Sequence, residues 1–207
     1  MLRRTWISAL ALTAAAFAAP ASRAEPVAGD AFVKQLSNEV IDAVKADKAI
    51  QNGDVSRIRT LVDSKVMPHV NFQRMTSMAV GPQWRSATPE QQKRMLEEFK
   101  TLMINTYAGA LTQVKDQTVL VKPMRAAGGD DIVVRTEVRG RGEPIQLDYR
   151  LEKAGEGWKI YDVNVGGFWL VEAYKGQFAK DLSAGGLDAL ITRLAEKNKA
   201  TNAAPKN

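Results

Sequence analysis

Residues 115–165 constrain the fold most, because they carry successive runs in which apolar and polar side chains alternate. The mostly apolar side of the two clearest runs carries Ile132, Val134, Thr136 and Val138, then Ile145, Leu147, Tyr149 and Leu151. A period of two residues is the signature of strands with one buried face. Turns rich in glycine separate the runs, so consecutive strands are expected to pair as hairpins. The stretch predicts a four-stranded antiparallel meander.

The last run of this stretch changes phase. Trp158 and Ile160 are apolar at even positions, whereas Val163 and Val165 are apolar at odd positions. A shift by one residue would turn the apolar set to the other face, so a one-residue bulge is predicted near Tyr161 or Asp162. A bulge there would curl the sheet. A curled sheet with one apolar face needs cover, and the flanking helical segments can supply it.

Helical spacing of apolar residues predicts about six helices around the meander. The clearest begins at Thr88, which forms a capping box with Gln91. Its apolar stripe, residues 95–111, is predicted to lie across the meander as its lid. Asn71 is predicted to cap a shorter helix, and Gly185 with Gly186 to interrupt the last one. The predicted fold class is α+β, a curved four-stranded antiparallel meander covered by helices and enclosing an apolar pocket.

The termini are predicted to lie outside this domain. Residues 1–24 have Arg3 and Arg4 near the start, an apolar run at 7–19 and the sequence Ser22-Arg23-Ala24, the pattern of a secretory signal peptide. The run is shorter than the roughly 20 residues that span a bilayer. Residues 25–197 are predicted to form a single domain, and residues 198–207 a disordered tail. Loss of the first segment would lower the net charge of +6, since three of the 29 basic residues leave with it.

The sequence offers little to a catalytic or metal site. Cysteine is absent and His69 is the only histidine, which leaves thiol chemistry and zinc poorly supported. Asp130 and Asp131 fall in a predicted turn, where aspartate is favoured by the backbone. Asp162 lies at the predicted bulge, where a structural hydrogen-bonding role is favoured over catalysis. No basic cluster interleaved with aromatic residues predicts a nucleic-acid surface.

A family resemblance rests on two groups of residues. The first includes Gly81, Trp84, Arg85, Thr88 and Gln91, and the second is the block at 158–178, which reads WKIYDVxVxGxxLVxxYxxQF. Together they resemble the MlaC / toluene-tolerance Ttg2D family of periplasmic phospholipid-binding proteins. The chain departs from the usual family pattern at Gly166, Trp169 and Lys175, and at Asn71, where the family often has aspartate.

The resemblance implies a phospholipid held by its tails between sheet and helices, as cargo rather than cofactor. It further implies a periplasmic shuttle between an inner-membrane ABC transporter complex and an outer-membrane lipoprotein complex, which maintains the lipid asymmetry of the outer membrane. Neither catalysis nor a metal is expected, and the protein is expected to be a monomer. The residues predicted to line the pocket are Phe72, Met75, Phe99, Met103, Tyr107, Val134, Leu147, Tyr149, Val163, Val165, Phe168 and Leu170.

Several alternatives stay open at this point. The chain could be an enzyme on a curved sheet, with Asp162 or Tyr149 in the pocket, or a binding or adaptor protein with a fully packed core. The methionines on the helices could fill the core or form a deformable pocket wall. Gly166 and Gly167 could form a hinge, or a tight turn that needs positive backbone angles.

Overall fold

A computed structural model describes residues 28–122, 125–128 and 130–203 of the chain. The helices in these ranges are α1 (Gly29–Ala46), α2 (Lys48–Gln51), α3 (Val55–Leu61), α4 (Phe72–Val80), α5 (Pro89–Thr112) and α6 (Leu170–Ala203). A π-helical turn (Val62–Val66) and 3-10 turns (Met67–His69 and Gly81–Ser86) join some of them. The strands are β1 (Thr118–Val121), β2 (Arg125–Gly128), β3 (Asp131–Arg139), β4 (Ile145–Ala154), β5 (Gly157–Val165) and β6 (Phe168–Trp169). The α+β class is confirmed. The predicted signal peptide lies outside the described residues.

The strands form one antiparallel sheet in the order β1-β3-β4-β5-β6, and β2 pairs with the other half of β3. The hairpins β3–β4 and β4–β5 follow the predicted meander. The described sheet has six strands rather than four, because the first edge strand is split into β1 and β2 and because the chain folds back after β5 to form β6.

The predicted bulge is confirmed. In the β4–β5 pairing, Arg150 faces Asp162 and Leu151 faces Ile160, which leaves Tyr161 as the extra residue. The bulge restores the phase, so apolar residues on both sides of it point to the same face of the sheet.

Helices α1, α4 and α6 pack on the sheet, whereas α5 packs on α2, α3, α4 and α6. The prediction that α5 lies across the meander as its lid is therefore wrong in its detail. The apolar stripe of α5 divides between two neighbours. Met95, Phe99 and Leu102 face one cluster formed with α4 and α6, while Ile104 and Ala108 face another formed with α1–α3. The long helix thus contacts the other helices rather than the sheet.

The start of α6 is anchored to β5 by Asp162, whose side chain is 0% exposed. Its Oδ1 accepts hydrogen bonds from the backbone N–H of Val171 (3.1 Å) and Val163 (2.9 Å), and its Oδ2 accepts one from Arg150 (2.9 Å). Val171 lies in the first turn of α6, where backbone N–H groups have no partner within the helix. Asp162 thus acts as a cap supplied by the sheet, which agrees with its predicted structural role.

The C-terminal segment corrects one prediction. Residues 198–203, predicted to be disordered, continue α6, and Asn198 is only 4% exposed. Its Nδ2 donates to the backbone oxygen of Glu98 (2.9 Å), which ties the end of α6 to α5. The interruption predicted at Gly185 and Gly186 is confirmed by non-helical backbone angles there. Of the helices in the described ranges, none combines the length and apolar character needed to cross a bilayer.

Gly166 and Gly167 form the turn between β5 and β6, with φ of +59° and +97°. Positive φ at both central residues is the pattern of a type I′ hairpin turn. The N–H of Gly166 donates to the backbone oxygen of Gln146 (3.1 Å), and that of Gly167 to Oδ1 of Asn164 (2.9 Å). The backbone geometry alone therefore accounts for both glycines, as the fixed-turn alternative requires.

We expect Asp162→Ala to lower the free energy of unfolding by about 3 kcal/mol or more, because it removes the acceptor of two backbone N–H groups and leaves Arg150 without its carboxylate. Urea unfolding followed by circular dichroism measures the change. Asp116→Ala is the matched control. Asp116 pairs with Arg141 on the surface, so its loss should cost less than about 1 kcal/mol. Equal losses in the two variants would contradict the anchoring role of Asp162.

We expect Gly166→Ala and Gly167→Ala each to destabilise the fold by about 1 kcal/mol. A Cβ at either position meets no atom within 4 Å, so the cost comes from the positive φ alone. Gly176→Ala in α6 is the control, since its Cβ also enters open space but its helical backbone suits alanine, which should stabilise by up to about 1 kcal/mol. Thermal unfolding distinguishes these signs.

Candidate functional site

The face of the sheet that looks toward the helices is built from cross-strand rows. Directly paired residues of antiparallel strands point to the same face. One row contains Val134, Tyr149 and Val163, and the next contains Thr136, Leu147 and Val165. We call this face the inner face.

Burial along β4 falls steadily from one end of the inner face to the other. Leu151 is 0% exposed, Tyr149 and Leu147 are half-buried, and Ile145 is 54% exposed. Because β4 has a neighbouring strand on each side, Tyr149 and Leu147 can be reached only from above the sheet. The helices therefore leave part of the inner face uncovered, and we call the region directly above Tyr149 and Leu147 the apolar space.

The buried apolar residues fall into three separate clusters, consistent with such a space. A helical cluster joins α4, α5 and α6, a second cluster joins α1, α2, α3 and the end of α5, and a sheet cluster joins α1 to β3, β4 and β5. Val163 packs against both the helical and the sheet clusters, and Val40 against both the second and the sheet clusters. Both side chains are only partly buried. The clusters thus meet around side chains that are not fully covered.

The residues predicted to line the pocket take three different positions. Those fully packed in a cluster are Met75, Phe99, Leu170 and Val134. Those that are half-buried, and so keep accessible surface, are Phe72, Met103, Tyr107, Leu147, Tyr149, Val163 and Val165. Phe168 is 74% exposed and lies at the rim rather than inside. That these residues contact a ligand remains a prediction.

The rim has an apolar edge. Phe168 pairs with Val165, and Ile145 pairs with Val138, so both exposed side chains belong to the inner side of the sheet. Large apolar groups exposed next to an apolar space are typical of the mouth of a binding site.

Hydroxyl groups on the walls were missed by the sequence reasoning. The hydroxyl of Tyr149 interacts with those of Ser37 and Thr136, and burial raises the pKa of Tyr149. Tyr149 nevertheless keeps accessible surface, as expected of a group deep in the protein that borders an open space. The one feature of the sequence that indicates this group of hydroxyls is Thr136, a polar residue in an otherwise apolar alternation.

Of the two residues considered for an enzyme, Tyr149 lies on the inner face, whereas Asp162 does not. Asp162 points to the outer face of the sheet, together with Arg150. Burial raises the pKa of Asp162, and its hydrogen bonds from Val171, Val163 and Arg150 oppose that rise. His69 packs against the ring of Phe32 with centroids 5.6 Å apart. Among the described residues, no group of three or more His, Cys, Asp or Glu side chains is placed to hold a metal ion.

A surface hollow of about 460 Å³ lies between α1 and β1. Its lining includes Asp30, Lys34 and Lys122. Three charged side chains do not suit an apolar ligand, so we do not assign the site there.

Comparison with known proteins identifies the family of this chain. The family model for MlaC protein matches residues 34–196, most of the chain. The chain belongs to the MlaC family. One member, the intermembrane phospholipid transport system binding protein MlaC of Haemophilus influenzae, is 23% identical over 93% of this chain and 92% of its own length. The toluene tolerance protein ttg2D of Pseudomonas putida is 27% identical over 75% of this chain and 74% of its own.

A solved structure shares the MlaC-family fold. It is a phospholipid-binding protein from Ralstonia solanacearum, determined at 1.53 Å resolution in complex with a phospholipid. It is 44% identical to this chain, covers 85% of it and 99% of the solved chain, and superposes with a TM-score of 0.82. The family resemblance found in the sequence is therefore confirmed.

We expect Leu147→Trp to reduce the amount of copurified phospholipid while changing the free energy of unfolding by less than about 1 kcal/mol, because Leu147 borders open space. Leu151→Trp, two residues away in the packed row, should instead cost at least about 1 to 3 kcal/mol by overfilling a core. Urea unfolding and lipid extraction with mass spectrometry measure both. A large loss of stability in Leu147→Trp with unchanged lipid content would mean that the inner face is fully packed.

Proposed function

We propose that this protein is a periplasmic phospholipid carrier, which holds the acyl tails of its cargo between the inner face of the sheet and the helices. The incomplete burial of Leu147 and Tyr149 on the central strand β4 carries this proposal. The phospholipid bound to the Ralstonia solanacearum protein, at 44% identity over most of the chain, supports it.

The free energy of the tails explains why a carrier must enclose them. Two acyl chains of about 15 carbons each, at roughly 0.8 kcal/mol per buried methylene, represent on the order of 20 kcal/mol. A protein that left one tail in water would lose its cargo to the nearest bilayer. Apolar walls on both the sheet and the helical layer allow a full enclosure.

The location and partners that we propose for this protein are inferred from its family. The name of the Haemophilus influenzae relative places that protein in an intermembrane phospholipid transport system. By analogy, we infer that residues 1–24 direct export and that the mature protein acts as a monomer in the periplasm. It would exchange lipid with an inner-membrane ABC transporter complex and an outer-membrane lipoprotein complex, and so maintain outer-membrane lipid asymmetry.

Two other functions receive less support. An enzyme would need polar groups converging on the apolar space, yet the carboxylate of Asp162 faces the other side of the sheet and caps α6. The relatives are also named for binding and transport. An adaptor with a fully packed core would bury the central strand completely, whereas the inner face of β4 keeps accessible surface.

Native mass spectrometry of the protein purified gently from its own periplasm tests the proposal. We expect a stoichiometric phospholipid complex with heterogeneous acyl chains and little selectivity for the head group, because the described part of the inner face has no basic cluster to bind a phosphate. Delipidated protein should also take up phospholipid from liposomes. Protein that is free of lipid after purification and takes up none would overturn the proposal.

The same assay tests whether Gly166 and Gly167 also act as a hinge for cargo exchange. Alanine at one of the two positions, with an expected cost of about 1 kcal/mol, can be combined with the stabilising Gly176→Ala, which offsets that cost. If this variant exchanges lipid with acceptor membranes more slowly than the wild type at matched stability, the hinge is supported. Exchange at the wild-type rate would leave the glycines with a purely structural role.

A further inference from the structure

Four residues of the inner face that keep accessible surface form a compact patch on two neighbouring strands. On β4 they are Tyr149 and Leu147, and on β5 they are Val163 and Val165, which pair with them directly. Neighbouring strands lie about 4.8 Å apart, so the four side chains stand in a two-by-two block. The accessible part of the inner face thus runs along β4 and β5 together.

This patch is closed along β3 and at one end. On the β3 side, the cross-strand partners Val134 and Thr136 are both 0% exposed. At the closed end, the next row on β4 and β5 contains Leu151 and Ile160, which are 0% and 3% exposed. Helix α1 shares the sheet cluster with Val134, Leu151 and Ile160, so it supplies the cover on these sides.

The opposite end of the patch is open. There β4 continues to Ile145, which is 54% exposed, and the chain after β5 turns back to Phe168, which is 74% exposed. Above β5, Val163 and Val165 pack against the helical cluster. The accessible part of the inner face is therefore a dead end, which opens at this rim and ends at the row of Tyr149.

The length of this dead end is close to that of a lipid tail. Tyr149 lies four residues beyond Ile145 along β4, which corresponds to roughly 13 Å at about 3.3 Å for each strand residue. The tails of one leaflet fill half of a hydrocarbon core of about 30 Å, hence roughly 15 Å. A tail that enters at the rim would thus bring its methyl end to Tyr149, the largest side chain of the patch.

We propose that acyl tails enter this dead end with the methyl end first and that the ring of Tyr149 stops them, so that Tyr149 limits the length of tail that the protein can enclose. This inference rests on the proposed function. Every methylene that enters gains hydrophobic free energy, whereas a methylene beyond the stop stays at the rim and gains little. The affinity for a single-chain lipid should therefore rise with chain length and then level off.

The test uses lysophosphatidylcholines with saturated chains from decanoyl to stearoyl, each kept below its critical micelle concentration. Delipidated full-length mature protein is titrated with each lipid by isothermal titration calorimetry. We expect the affinity of the wild type to rise about four-fold for each added methylene up to a limiting length, and to stay constant beyond it.

Tyr149→Leu shortens the stop and should move the limit to a longer chain. The affinity for the longest lipids should rise about four-fold or more, the effect of one further buried methylene, while that for the shortest lipids stays unchanged. Tyr149→Trp should move the limit to a shorter chain. The two variants shift the limit in opposite directions, so either one tests the stop if circular dichroism shows that the other is unfolded.

Tyr149→Phe and Ile145→Ala are the matched controls. Phenylalanine keeps the ring and removes only the hydroxyl, so a steric stop predicts the same limiting length as in the wild type. Ile145 lies on the same face of the same strand, but at the rim. Its truncation should weaken the binding of all chain lengths to the same extent and leave the limiting length where it is.

The possible outcomes separate the two proposals. If the wild type binds no lysolipid and takes up no phospholipid from liposomes, the carrier function fails and this inference fails with it. If the wild type takes up phospholipid but its lysolipid affinity shows no limiting length, the inference is wrong while the carrier function stands. A limit that Tyr149→Leu and Tyr149→Trp both leave in place, or a loss of affinity in Tyr149→Leu that is equal at all lengths, would also overturn the inference, the latter because it would indicate a packing role.

Discussion

The junction between β5 and α6 is the contact on which the arrangement of the two layers depends. The bulge at Tyr161 sets the phase of β5, and the buried carboxylate of Asp162 beside it receives the N–H of Val171. The strand therefore dictates where α6 begins. Tyr174 and Phe178 follow on the same helix and pack on Phe99 of α5. The sheet thus positions α5 through α6, without extensive direct contact between α5 and the sheet.

This indirect connection explains how a protein of this size can leave part of its interior open. Each apolar cluster has a fully buried member, since Phe99, Val44 and Leu151 are all 0% exposed. The half-buried side chains lie where the clusters meet. In a protein with one continuous core, the same exposure would cost about 25 cal/mol for each Å² of apolar surface left in water. A carrier recovers that free energy when its cargo binds.

Charge and apolar surface are divided between the two faces of the sheet. On the outer side, Arg74 pairs with Asp131 (2.9 Å) and with Glu152, and Arg150 lies 4.0 Å from the ring centroid of Trp169. These contacts hold α4 and β6 to the sheet without placing charge on the inner face. The polar groups in the two inner-face rows, those of Tyr149 and Thr136, are neutral hydroxyls, which avoid the desolvation cost of a buried charge.

Local signals in the sequence were enough to determine the strands β3 to β5, the bulge, the capping box at Thr88 and the break at Gly185. Each depends on residues that are neighbours in the chain, where periodicity and backbone preference decide the structure. Only the tertiary structure decided the place of α5, the ordered end of α6 and which predicted pocket residues border open space. These depend on contacts between distant segments, as between Asn198 and Glu98. The burial of a side chain is set by what packs over it, which no local pattern contains.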